Sequence, residues 1–452
     1  MHDMRRKSDL RTVGWFTGVL GSLVSAVPGA AQPTPVGDDF QINAYTTDVQ
    51  GRPDVAALGD EFLVVWDSLG SSGDDSIQRS IQGRRFDGSG APLASEFQVN
   101  EGTGFSEFEP RVDGLSDGRF VVQWRTLFQS TYELVSSLAA RGFDAADQPT
   151  TGDFVSSVSI NGYESHLDHA IAMGTTGEFV AVYSQLYNDY QFTFDSQIEA
   201  RRFDAMGTFL DSDDVANSFD RTFNSNVDRA PDGTFTVVWN DISYVDFSTE
   251  VGGRKLDAGG EPMATFQVVD GFANNEGFGV DVAHGPAGDF VVVWSAVDPY
   301  YGIDHEILFR RFDASGQSLG PATQLNSYTT SGQVLPRVAP VDGSRFLVVW
   351  QSSGSPDSDT DAASIRGRLI GANGAPEGVE LQVNTTTTGD QQAPEIASSD
   401  DGRTVLVVWQ SDSSTGSDTD ESSIQGRRLT ISGIFADGFE SGDLSRWSSS
   451  QP

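Results

Sequence analysis

One four-residue pattern recurs seven times along this chain of 452 residues. It reads Phe40-Gln41-Ile42-Asn43, Phe97-Gln98-Val99-Asn100, Val158-Ser159-Ile160-Asn161, Asp214-Val215-Ala216-Asn217, Phe266-Gln267-Val268-Val269, Thr323-Gln324-Leu325-Asn326 and Leu381-Gln382-Val383-Asn384. The spacing stays between 52 and 61 residues. An apolar run ending in an aromatic keeps the same interval, at Trp66, Trp124, Tyr183, Trp239, Trp294, Trp350 and Trp409. A unit of this size cannot bury its apolar face alone, so the copies must stack into one repetitive architecture.

The sixth unit shows what is repeated. Residues 337–341 read as a short strand, and Asp342-Gly343 as a hairpin turn. Residues 346–351 (FLVVWQ) form a second strand rich in β-branched and aromatic side chains. A polar loop leads to a third strand at 364–370, a turn at 371–374, and a fourth strand at 381–384. Four short antiparallel strands per unit is the content of one propeller blade. No segment carries a convincing helical period, so almost no helix is expected.

The two landmarks are offset. The first tetrad precedes the first aromatic strand, and none follows the last. An open array would leave an orphan strand at one end and an incomplete sheet at the other. A ring removes both defects and the exposed edges. The expected fold is all-β: a seven-bladed β-propeller closed by its N-terminal strand, over residues 32–433. An open solenoid or a string of small sandwiches is the alternative.

Residues 1–31 read as a secretory signal. Arg5, Arg6, Lys7 and Arg11 precede an apolar stretch at 12–27, and Gly29-Ala30-Ala31 places cleavage before Gln32. The stretch is about 16 residues, short of the about 20 a membrane span needs. Losing four basic and two acidic residues from 28 and 65 leaves 24 against 63, a formal charge of −39. Such a surface repels nucleic acid and anionic membrane, so neither is an expected partner. It suits cations or high salt, and the near absence of lysine (Lys7 and Lys255) leans towards salt. With no cysteine, stability must come from packing, ring closure or bound ions. The mature chain is expected to be secreted and monomeric.

The unit resembles a repeat found in large secreted bacterial proteins, including adhesin-like proteins with calcium-binding repeats. The matching residues are Phe97-Gln98-Val99-Asn100 with Asp117-Gly118, 346–352 (FLVVWQS) and 80–87 (SIQGRRFD). The resemblance covers 40 to about 433 and implies an extracellular binding or structural part. Units three and four depart most from the pattern. Glycine-rich nonapeptide calcium repeats are absent, so calcium binding does not carry over. The tail, 434–452, contains 435–448 (FADGFESGDLSRWS), which resembles the opening strand of some secreted carbohydrate-binding sandwiches or a C-terminal sorting tag. The plainer reading is a frayed tail or an extra strand on a blade.

Half of the mature positive charge falls at one repeat position: Arg84, Arg85, Arg141, Arg201, Arg202, Arg254, Lys255, Arg310, Arg311, Arg368, Arg427 and Arg428. A catalytic residue is not needed seven times. These read as structural charges, with stems covering neighbouring strands and heads paired to turn aspartates such as Asp87 or Asp313. The strand-ending tryptophans read as core. Gly114-Leu115-Ser116-Asp117-Gly118 fits a serine-hydrolase pattern but aligns with the Asp-Gly hairpins of other units, so it reads as a turn. His166 and His169 flank Asp168, and read as solvated or hydrogen-bonded rather than as metal ligands.

The loops between second and third strands vary most. Units one, six and seven carry acids: Asp74, Asp75; Asp357, Asp359, Asp361; Asp418, Asp420, Glu421. Alternating carboxylates can converge on calcium, though the EF-hand pattern is not met. No cofactor is required, and calcium is the one ion these loops suit. Units two to five carry aromatics: Phe128 and Tyr132; Tyr187, Tyr190, Phe192 and Phe194; Tyr244 and Phe247; Tyr300 and Tyr301 beside His305. Aromatics beside carboxylates suit sugar stacking or a protein interface.

Three functions remain. The first is a secreted, non-catalytic binding or adhesion module for an extracellular glycan or protein, held by the aromatic loops. The second is a calcium-binding structural surface or matrix protein. The third is a polysaccharide hydrolase or lyase at the channel mouth, with Asp54, Asp113, Asp228, Asp281 and Glu395 as candidate acids; no sequence feature separates a catalytic pair from repeat decoration.

Overall fold

The computed structural model describes residues 32–71, 78–102, 104–129, 134–159, 164–188, 194–218, 221–242, 249–269, 279–297, 305–357, 359 and 362–431. Their strands form seven antiparallel four-stranded sheets, and no helix occurs among them. Blade one comprises Gln50–Leu58, Glu61–Leu69, Arg79–Phe86 and Phe97–Gln98. Blade two comprises Ser106–Gly114, Phe120–Gln129, Leu134–Phe143 and Phe154–Ser159. Blade three follows with Glu164–Met173, Phe179–Asn188, Phe194–Phe203 and Phe209–Ser218. Blade four has Arg221–Arg229, Phe235–Ile242, Thr249–Leu256 and Pro262–Gln267. Blade five has Val280–His284, Phe290–Val297, His305–Phe312 and Thr323–Gln324. Blade six has Gln333–Val341, Arg345–Ser352, Ser364–Ile370 and Pro376–Gln382.

Blade seven closes the ring as its missing strand required. Gln391–Ser398, Thr404–Ser411 and Ser423–Ile431 take Pro33–Gln41 as their outer strand, with Pro33 opposite Ile431 and Gln41 opposite Gln425. The innermost strands of blades seven and one pack together like those of other neighbours. The apolar layer at this seam joins Leu406, Val408 and Ile424 to Phe62, Val64 and Trp66. It matches the layer between blades one and two, where Leu63, Val65 and Ile81 meet Val112, Val122 and Trp124.

The recurrent tetrad works as wiring. Asn43, Asn100, Asn326 and Asn384 each accept from a third-strand N–H at 2.8–2.9 Å: Ile424, Ile81, Ile307 and Ile365. Their amides donate to the carbonyl two residues on, in Tyr45, Gly102, Tyr328 and Thr386. The tetrad glutamine donates to the same asparagine's carbonyl, as Gln98 does to Asn100 and Gln382 to Asn384. Thus the asparagine lies just past the fourth strand, and in blade six that strand begins earlier than the tetrad suggested, at Pro376. The tetrad phenylalanine packs on the next blade: Phe40 on Phe86, Phe97 on Phe143 and Phe266 on Phe312. It also covers a glycine of its own blade; a Cβ on Gly253 would stand 2.3 Å from the Phe266 ring.

These contacts correct two registers. In blade two Phe154, not Val158, pairs opposite the residue before the arginine and packs on Phe179 and Phe203 of blade three. In blade three Asp213, not Asp214, holds that place. Both strands bulge at the tetrad's third position. The fourth position there is Ser157 or Ala216, without the asparagine on which the alignment leaned.

The repeated basic residues are staples. At the first position Arg84, Arg141, Arg201, Arg254, Arg310, Arg368 and Arg427 each donate to a carbonyl in or just past the fourth strand of the preceding blade, at 2.6–3.1 Å. At the second position the reach is to the following blade: Arg85 to Gly118, Lys255 to Ala314, Arg311 to Ala372, and across the seam Arg428 to Gly88. The heads therefore seek main-chain carbonyls and also carboxylates: Arg85 pairs with the turn residue Asp147 and Arg311 with Asp289, each at 2.6 Å, and Arg202 departs from the rule by pairing with Asp211 of its own blade. Asp87 and Asp313 instead accept the N–H groups of their own turns, at Ser89 and Ala91 and at Ser315 and Gln317, which are nearer than any arginine. Residues 114–118 form the expected hairpin, with Leu115 N donating to Arg119 and Gly118 at φ 90°.

Candidate functional site

The innermost strands wall a central tunnel, and the edge each turns towards it has no strand to pair with. Their free N–H groups need acceptors. The carboxylates supply them, one repeat apart. Asp54 accepts from Val112 at 2.8 Å, Asp113 from Met173 at 2.7 Å, Asp228 from His284 at 2.7 Å and Asp281 from Val338 at 2.8 Å. Asp168 accepts from Ser225 in the same way. The second oxygens of Asp54, Asp113 and Asp281 take the N–H of the next residue in their own strand. Burial pushes the carboxyls of Asp54, Asp113, Asp168 and Asp281 up to about 7, and the neighbouring Glu395 adds to the rise at Asp54.

A charged layer crosses the tunnel at the level of Asp54. Glu395 of blade seven takes Arg337 of blade six at 2.7 Å and Arg111 of blade two at 3.6 Å. Blade one stands between blades seven and two, so the Arg111 contact bridges the lumen. Arg111 also donates to the carbonyl of His169, and Asn226 donates to Asp281 at 2.7 Å. Carboxyls that titrate near neutrality can exchange protons. Here they already hold backbone or guanidinium donors.

Sequence reasoning passed over one constellation. The His284 ring contacts Asp228 through Nδ1 at 2.8 Å and the Thr236 hydroxyl through Nε2 at 3.0 Å. The order hydroxyl–imidazole–carboxylate is that of a hydrolase triad. Thr236, however, is fully buried in a second strand opposite Lys255, so no substrate reaches it. The chain ties blade four to blade five. Its signal in the sequence was spacing: Asp228 and His284 lie 56 residues apart, one repeat.

Of the aromatic candidates, Tyr132, Tyr190, Phe192, Tyr244, Phe247, Tyr300 and Tyr301 lie outside the described residues. Phe128 and Tyr187 sit near the ends of the second strands of blades two and three. His305 opens the third strand of blade five opposite Val297. Of the acidic candidates, Asp74, Asp75 and Asp361 lie outside the described residues. Asp357 pairs with Arg366. Asp359 and Asp418 are buried and accept from the tetrad asparagines Asn384 and Asn43 at 2.7 and 2.6 Å. Asp420 accepts from the Asp48 N–H, and Glu421 is exposed at φ 58°. The structure thus brings Asp359 and Asp418 each to its own blade's wiring. Among the described residues no three His, Asp or Glu side chains converge at metal-binding distance.

The second-to-third-strand hairpins differ in length. In blades two and three the second strand runs to Gln129 and Asn188, five residues beyond Trp124 and Tyr183. In blades six and seven it stops at Ser352 and Ser411, two residues beyond Trp350 and Trp409. At about 3.3 Å per residue the longer hairpins project roughly 10 Å further.

No protein-family model matches the chain, and no curated protein matches its sequence. Among solved structures it is similar to a protein of unknown function from Dyadobacter fermentans (12% identity, TM-score 0.48, covering 90% of this chain and 100% of that one). It is also similar to the β-propeller domain of the Trilobed protease from Pyrococcus furiosus (8%, 0.47, 89% and 99%). A third is an α-L-arabinanase from Penicillium chrysogenum in complex with arabinobiose (13%, 0.45, 70% and 92%). No statement about the activity of this chain follows from similarities of that strength.

Proposed function

We propose that this chain is a secreted, non-catalytic binding or adhesion propeller that recognises an extracellular glycan or protein. The binding face is the tunnel end where the second-to-third-strand loops and the inter-blade linkers emerge. The observation that carries this reading is the length of the second strands of blades two and three, which run five residues beyond Trp124 and Tyr183 and lead into the aromatic-rich segments of the sequence. The polar framework supports it, because the tunnel carboxylates and the repeated arginines hold blade to blade. In this reading residues 1–31 are a signal removed before Gln32, 32–433 are the propeller, and 434–452 are a tail. The chain is a monomeric member of the secreted bacterial repeat family it resembles.

The test is a glycan-array screen of the full chain, run with calcium and with chelator, beside Tyr187→Ala/Tyr190→Ala in blade three. Binding in both conditions that the double variant loses supports the proposal. Binding only with calcium turns it into the calcium-dependent structural reading. Turnover of any polysaccharide would replace it with the hydrolase or lyase.

A further inference from the structure

At the loop end of the tunnel, in blades six and seven, the residue after the strand-ending tryptophan is a glutamine that accepts the N–H of a left-handed residue in the next blade's innermost strand. Gln351 takes the N–H of Ala393 (φ 51°) at 3.2 Å, and Gln410 that of Arg52 (φ 49°) at 3.3 Å. Between blades one and two the same bond is made by a carboxylate, Asp67, which takes the N–H of Glu109 (φ 54°) at 3.3 Å. The backbone arrangement is unchanged, so a glutamine would have served.

Asp67 is fully buried and holds two guanidiniums, Arg52 and Arg79. Glu109 holds Arg52 at 3.8 Å and Arg125 at 3.5 Å. Arg52 and Arg125 both lie over the Phe108 ring, 5.6 and 5.3 Å from its centre. Three arginines and two carboxylates meet directly here, with Glu107 buried two residues from Glu109 and Asp168 in electrostatic reach of it, so Arg52 is the group of the cluster that turns a guanidinium to solvent. The Arg52 side chain is 47% exposed, while Arg79 and Arg125 are partly covered. A guanidinium whose inner edge is held by a carboxylate and whose face rests on an aromatic keeps its outer N–H groups pre-aligned for a second anion.

We propose that this cluster binds the carboxylate or sulfate group of an acidic polysaccharide, with Arg52 and Arg125 contacting the anion and Asp67, Glu109 and Phe108 holding them in place. The inference rests on the glycan reading above and names the class of glycan. A densely charged polyanion such as nucleic acid is disfavoured by the acidic surface around the site. A short oligosaccharide can place one anion on Arg52 and Arg125 while its remaining charges, more than about 8 Å away, are screened from the cluster at physiological ionic strength.

The experiment is calorimetric titration of the full chain with three oligosaccharides of equal length: a galacturonate, a sulfated galactan and a neutral galactan. The expected result is binding of one or both anionic chains about tenfold or more tighter than the neutral one, the loss of one charge-assisted contact. Arg52→Gln and Arg125→Gln should each abolish that preference with the melting temperature monitored, and the exposed Arg403→Gln should leave it intact. If one variant fails to fold, the other carries the test. Whether galacturonate or sulfated galactan wins separates carboxylate from sulfate. Equal affinity for neutral and anionic chains, or a preference that survives both variants, overturns the proposal and leaves the glycan reading standing. Binding of none of the three, with a neutral glycan found on the array, also overturns only this proposal; no glycan binding at all removes both.

Discussion

Blades six and seven and blades two and three share one framework and finish it differently. In blades six and seven the tryptophan indoles donate to Gln333 and Gln391 at 2.9 Å. The tetrad asparagine is full length in its bonds, and the acidic loop sends a buried aspartate back to it. The loop is thereby bound into the blade. In blades two and three the tetrad has lost its asparagine, Tyr183 replaces one tryptophan, and the hairpins extend five residues past the aromatic. The staples survive in both: Arg201 still reaches Ser156, and Arg427 still reaches Val383. The comparison teaches that the apolar layer and the arginine staple are kept in both regions, while the tetrad asparagine is the point at which blades six and seven tie down a buried aspartate of their acidic loops.

The largest expected effect comes from breaking the shared layer. Trp409→Ala removes a fully buried indole and orphans Gln391, and should cost about 3–5 kcal/mol by denaturant unfolding. Tyr183→Ala in blade three should cost less, since the smaller ring leaves a smaller cavity. Equal costs would mean that the two regions are packed alike.

The next effect sharpens the difference in wiring. Asn384→Ala removes the acceptor of the Ile365 N–H and one donor to the buried Asp359 and should cost about 2–3 kcal/mol. Ser157→Ala, at the equivalent place in blade two, removes a single hydrogen bond to the Tyr183 side chain of blade three and should cost about 1 kcal/mol. A comparable loss at Ser157 would show that blade two keeps the same wiring by another route.

The tunnel carboxyls give a pH dependence shared by both regions. Burial raises Asp54, Asp113, Asp168 and Asp281 to about 7, above the unfolded value near 3.9. Between those values the folded chain binds more protons than the unfolded one, so stability falls as pH rises from about 4 to about 7. Melting temperature should therefore be higher at pH 5 than at pH 8. Asp113→Asn should flatten that slope while losing one of two backbone bonds. A melting temperature that climbs steadily to pH 8 would contradict the assignment.

The smallest effect concerns the acidic loops. Asp359 and Asp418 already hold asparagine donors, so chelation should move the melting temperature by less than about 2 °C. A larger fall would return calcium to the loops of blades one, six and seven.

Much of this architecture was legible because repetition exposes it. The number of blades, the four strands in each and closure by the N-terminal strand followed from two offset landmarks and the missing last tetrad. The structural role of the twelve basic residues followed from their recurrence. Their partners did not: an arginine at Arg84 has turn aspartates nearer in sequence than the Ile42 carbonyl it bonds, and only the stacking of blades decides between them. The registers of blades two and three differ from the pattern because those strands carry Ser157 and Ala216 where the other tetrads carry asparagine, while Asn161 and Asn217 lie outside that register position.

What the sequence determined alone was the periodic part, since apolar alternation, turn residues and a fixed interval act locally and repeat. What only the tertiary structure decided was every contact made one repeat away: the carboxylates on tunnel-facing N–H groups, the Arg111–Glu395 bridge across the lumen, the sealed Thr236–His284–Asp228 chain, and the arginine cluster around Asp67. Those depend on which strand edge is left unpaired and on how closely the ring draws seven blades together. Neither is a property of any single unit.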